Sequence, residues 1–156
     1  INYYLKHIKK IVERNINRIG KKNNITNTTD CDENELKANL VANNLVNTWR
    51  LTDQIVKKNG GIFIPILQPV IYIGDIRKDH IANKLNAELE ANYKIVYEII
   101  KSKSINLFGD KFIDLTYSLD NEDFYYIDYC HLSPNGNLLV VSKLTIELKK
   151  IISMPL

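Results

Sequence analysis

No stretch of this chain approaches the ~20 consecutive apolar residues that a membrane-crossing helix requires. Cysteine is scarce. Cys31 and Cys130 are the only two, and so distant a pair has none of the spacings of a cysteine-based metal site. An excess of one charge is also lacking. The chain carries 21 Lys and Arg against 18 Asp and Glu, for a net +3. The two signs are interspersed, so no basic stripe marks a nucleic-acid surface. Internal repeats and low-complexity linkers are missing too. What remains, 45% hydrophobic and 25% charged over 156 residues, is the composition of one globular domain or the larger part of one.

Hydrophobic spacing then divides the chain. Over residues 2–19, Leu5, Ile8, Ile11 or Val12, Ile16 and Ile19 recur at helical intervals and predict a first helix, with Gly20 as a stop and a polar loop over 21–29. A second helix is predicted from Glu33 to Lys58, capped by Asp32 and ending before Gly60-Gly61. Its apolar positions include Leu36, Leu40, Leu45, Trp49 and Ile55. Gly61 to Leu67 is a continuous apolar run, the pattern of a strand buried on both faces. A third helix follows from Lys84 to Lys101, then a strand at Phe112–Thr116 and an extended segment at Phe124–Tyr129. The last helix runs from Pro134 to Ile152. Strands separated by helices predict an α/β layered domain with parallel strands. Two strands are too few for such a sheet. The chain therefore reads as the C-terminal part of a longer domain, needing that remainder or a second copy to cover its apolar faces.

The segment Asp128-Tyr129-Cys130-His131-Leu132-Ser133-Pro134-Asn135-Gly136-Asn137 carries the chemistry. A carboxylate three residues before a His can accept from one ring nitrogen and leave the other free as a base. Ser133 has N-cap chemistry, and Pro134 suits the first helical position. The block resembles the last sequence block of the SGNH (GDSL-type) ester hydrolases, where a D-x-x-H pair precedes the terminal helix. Gly61-Ile62-Phe63-Ile64-Pro65-Ile66-Leu67-Gln68-Pro69 is similar to that family's strand before the last αβ unit. The resemblance implies a three-layer α/β/α, flavodoxin-like fold and a single partial domain over residues 1–156. It also implies acyl-ester hydrolysis by a Ser-His-Asp mechanism, with Asp128 orienting His131 and no metal or organic cofactor. The substrate would be a small-molecule, lipid or carbohydrate ester.

The family's other blocks are not here. The chain has no Gly-Asp-Ser and no Gly-x-Asn-Asp; its Gly-Asp pairs, Gly74-Asp75 and Gly109-Asp110, are followed by Ile and Lys. The nucleophile and oxyanion donors are thus expected from outside this chain. The competing reading is a hydrolase-derived module without catalysis, used for carbohydrate binding or interaction. A third is an unrelated flavodoxin-like domain with a chance D-x-x-H. Gln68, at a strand's carboxyl end, is a candidate substrate contact. Cys130 is expected to point away from His131, as neighbours in an extended segment do. Tyr125, Tyr126 and Tyr129 read as packing residues or as a pocket lining, Trp49 as helix core, and His7 and His80, each isolated on a helical or loop segment, as surface or packed residues. The acidic cluster from Asp110 to Asp123 matches no cation-binding loop.

Overall fold

The computed structural model describes residues 30–120 and 123–153. The helix predicted over 2–19, its Gly20 stop and the 21–29 loop lie outside the described residues. Helix α1 spans Glu35–Lys58. Its cap is Asn34, whose side-chain oxygen accepts from the Lys37 N–H at 3.1 Å. The predicted cap Asp32 instead accepts, at 3.2 Å, from the buried Asn92 of the next long helix. Asn92 also accepts from the Cys31 N–H at 2.5 Å and donates to the Glu88 carbonyl at 2.7 Å. One buried amide thus pins the turn that launches α1. At the other end, the Gly60 N–H bonds to Lys57 O and the Gly61 N–H to Val56 O, both at 3.0 Å. Gly60 sits at φ +77°, the left-handed residue that closes a helix in this way.

Helix α2 spans Ala87–Phe108, later at both ends than its apolar periodicity suggests. Lys84 belongs to a 3₁₀ segment, Asp79–Lys84. Asn86 is the true cap, accepting from the N–H groups of Glu88 and Leu89. The helix continues until Gly109 ends it at φ +54°. α1 packs on α2 through small residues: Ala38, Ala42 and Val46 fall at i, i+4 and i+8 and are buried. Ala42 and Val46 meet Tyr97 and Ile100 in a cluster with Leu67, Val70 and Ile73. Trp49 is half-buried at its edge, against the Phe112 ring at 6.3 Å.

Strands β1, Ile66–Leu67, and β2, Ile113–Asp114, pair in parallel, Ile66 opposite Ile113. Helix α3, Pro134–Ile152, closes the chain. Leu139 and Val140 of α3 pack on a second cluster that includes Ile71, Tyr72, Leu119, Tyr125 and Tyr126. Long apolar side chains remain uncovered on all three helices, among them Leu36 at 85% exposure on α1 and Leu138 at 67% on α3.

This overturns the expected three-layer α/β/α, flavodoxin-like architecture. Helix accounts for 61% of the described residues, and the sheet among them has two strands. The apolar runs contribute little to the sheet. Gly61–Leu67 pairs only at its last two residues; Ile62 is exposed, and Phe63 lies edge-on to Phe108. Beyond it, the Ile73 N–H bonds back to Val70 O at 3.1 Å, and Gly74 turns the chain at φ +96°. Leu115–Leu119 folds likewise, the Ser118 N–H reaching Leu115 O at 3.0 Å. Each of these two segments turns on itself here, so neither adds a strand to the sheet.

Candidate active site

Asp128 and His131 stand at the tip of a narrow hairpin. Tyr126 bridges Leu132 antiparallel; the Ile127 N–H donates to His131 O at 2.8 Å and the Ser133 N–H to Tyr125 O at 2.7 Å. The tip itself is a carboxylate turn. Asp128 Oδ1 accepts from the Cys130 N–H at 2.9 Å and the His131 N–H at 2.8 Å. Asp128 Oδ2 lies 2.7 Å from His131 Nδ1. The two backbone donors, Cys130 first, and then the imidazole hold the Asp128 carboxyl well below the usual carboxylate range. An ionised carboxylate only accepts, so Nδ1 carries the ring proton and Nε2 presents a lone pair. Nε2 has no hydrogen-bond partner among the described residues, and the His131 side chain is 74% exposed. An imidazole held by its other nitrogen in this way can serve as a general base.

Ser133 does the structural work beneath the pair. Its Oγ accepts from the Gly136 N–H at 3.2 Å and donates to Phe124 O at 3.4 Å. Pro134 follows at the first helical position. Gly136, in the first turn of α3, is buried against the hairpin: a Cβ there would meet Tyr125 O at 2.7 Å and Tyr125 Cβ at 3.1 Å. Gly136→Ala gains helix propensity of ~1 kcal/mol but must push α3 off the hairpin. Overpacking of this kind costs ~1–3 kcal/mol. We expect net destabilisation, seen as a lower urea midpoint at unchanged slope. A higher midpoint would show that the gap opens freely.

One neighbour differs from its sequence reading. Cys130 does not point away from His131: the turn replaces extended backbone and brings its Sγ to 3.7 Å from His131 Nδ1. Burial pushes the thiol up. Cys130 and Asp128 address the same ring nitrogen, so Cys130 cannot be the nucleophile of a relay in which Asp128 backs the base. His80 is a packed residue at the surface, as its sequence reading allows. Its Nε2 lies 2.7 Å from Tyr126 O and its ring packs on Phe124 at 4.7 Å, bracing the hairpin. Tyr125 and Tyr126 are buried core residues, whereas Tyr129 is 40% exposed at the tip.

Gln68 directly follows β1 and is exposed, and no hydrogen bond among the described residues joins it to the pair. The hairpin is nonetheless tied to the segment leaving β1, because the Ile71 N–H donates to Tyr129 O at 3.1 Å. A cavity of about 280 Å³ lies between the residues after β2 and α3, lined by Asp114, Tyr117, Ser118, Lys143 and Glu147 among others. It shares no residue with Asp128 or His131. Of the acidic cluster, Asp114 pairs with Lys101 at 3.2 Å and Asp123 accepts from the Tyr125 hydroxyl at 3.0 Å. His7 and Glu122 lie outside the described residues. No family model, curated protein or solved structure matches this chain. No described helix is long and apolar enough to cross a membrane.

Proposed function

We propose that Asp128 and His131 are the acid–base pair of an acyl-ester hydrolase, acting on a small-molecule, lipid or carbohydrate ester. The observation that carries this is the 2.7 Å contact of His131 Nδ1 with a carboxylate locked by two backbone N–H groups. His131 Nε2 takes the proton of an attacking Ser hydroxyl and returns it to the leaving alcohol. Asp128 stabilises the imidazolium formed between those steps. The chain has no Gly-Asp-Ser and no Gly-x-Asn-Asp, so this reading needs a nucleophile and oxyanion donors other than those motifs. The uncovered apolar side chains of α1 and α3 suit contact with further polypeptide, or with a second copy.

The test follows hydrolysis of a short-chain aryl ester by this chain alone and joined to any further polypeptide that its gene encodes. His131→Ala should lower kcat by roughly 10⁴–10⁶-fold, the loss seen when a triad base is removed. The 156-residue chain alone should be inactive. Turnover by the joined protein that survives His131→Ala would sink the assignment. A second reading draws on Phe124, Ile127 and Tyr129, exposed on this same hairpin. Such side chains suit a carbohydrate-binding or interaction module without catalysis. Saturable sugar binding lost in Tyr129→Ala, with no ester turnover, would favour it.

A further inference from the structure

Cys130 is the donor beside the pair that acid–base chemistry leaves unused. Its Sγ lies 3.7 Å from His131 Nδ1, and Asp128 Oδ2 lies 2.7 Å from that nitrogen. One donor atom from each of the three residues falls within 4.8 Å of the others. A thiol, an imidazole and a carboxylate are the donor set of borderline-soft divalent ions, zinc foremost. Tetrahedral zinc geometry places sulfur and nitrogen ligands about 3.6 Å apart and nitrogen and oxygen ligands about 3.3 Å apart. The sulfur–nitrogen separation already fits. The nitrogen–oxygen separation must open by about 0.6 Å, a small side-chain rotation. Asp128 Oδ1, bound to two backbone N–H groups, supplies the outer bonds that orient a ligating carboxylate. The exposure of His131 leaves an entry path and an open fourth position.

We propose that Asp128, Cys130 and His131 form a site for one divalent ion of the zinc class, and that this ion competes with the acid–base pair for Nδ1. The competition rests on the function proposed above; the binding does not. The ion takes the Nδ1 lone pair, so the neutral ring carries its proton on Nε2 instead. Cys130 releases its thiol proton to solvent and binds as thiolate. The ion's two positive charges are then matched by thiolate and carboxylate. With Nε2 protonated, the base is switched off, and removing the ion restores it.

The experiment is a Co²⁺ titration of the reduced, full 156-residue chain. The expected result is a thiolate-to-cobalt charge-transfer absorption that saturates at about one equivalent and is displaced by Zn²⁺. Cys130→Ser should abolish the band and Cys31→Ser should keep it. His131→Ala should weaken binding by more than the ~10–100-fold that loss of an outer-shell partner costs. Absence of the band in the intact chain, or its persistence in Cys130→Ser, would overturn the site. The intact-chain titration decides this even where a variant fails to fold. It needs no ester turnover, so the metal site and the hydrolase reading fail separately. The competition fails if saturating Zn²⁺ leaves Nε2 unprotonated by ¹⁵N NMR.

Discussion

In Asp128→Asn, His131 should change tautomer, and any ester hydrolysis that depends on it should fall about 10⁴-fold. The argument is geometric. Asp128 Oδ1 receives the N–H groups of Cys130 and His131, so the amide oxygen of the variant has one place to go. Its NH₂ group must then face Nδ1. A donor there forces Nδ1 to accept, and the ring proton moves to Nε2. The side chain keeps its shape, the turn keeps its bonds, and the basic nitrogen is lost. The isolated chain reports this without an assay, because ¹⁵N shifts distinguish the two tautomers. Wild type should show Nδ1–H and Asp128→Asn should show Nε2–H. A wild-type ring protonated on Nε2 would end the general-base assignment.

The largest effect on stability should come from Tyr72→Ala. Tyr72 is 2% exposed at the centre of the second apolar cluster. Its ring packs against Tyr93 of α2 at 5.4 Å and against Tyr129 of the hairpin at 6.3 Å, nearly parallel to the latter. Its hydroxyl accepts from the N–H of Asn86, the residue that caps α2. One side chain therefore joins the α2 face, the α2 start and the site hairpin. Removing a buried aromatic ring costs ~3–5 kcal/mol, a large share of the ~5–15 kcal/mol that holds a typical domain together. Tyr72→Phe removes only the acceptor and should cost ~1 kcal/mol. Chemical denaturation of the two variants separates ring from hydroxyl. A loss in Tyr72→Ala no larger than in Tyr72→Phe would mean that the ring is not holding these elements together.

What could be read from the sequence was local. Ser133 and Pro134 set the start of α3, and Gly60-Gly61 set the end of α1, because caps and stops act within a few residues. The spacing of Asp128 and His131 suffices to bring them together, since the turn is built from its own backbone. The cap of α1 was read two residues early, because Asp32 is engaged by Asn92, 60 positions away. The bracing role of His80 rests on Tyr126, 46 positions away. No periodicity signals such partners. The architecture was misread because a continuous apolar run does not specify shape. Gly61–Leu67 was read as a strand buried on both faces, yet only Ile66 and Leu67 pair and Ile62 is exposed. Nothing in such a run's hydrophobicity separates a strand from irregular backbone.

The hairpin tip has a consequence for tolerance to change. Every bond that sets the Asp128–His131 geometry closes between Tyr125 and Ser133. The pair thus owes its shape to a nine-residue stretch and its position to Ile71, Tyr72 and Gly136. Shape and position can drift independently under mutation. Substitutions on α1 can loosen the domain while the tautomer of His131 stays as it is. A change at Gly136 can carry an intact pair out of register with whatever it serves.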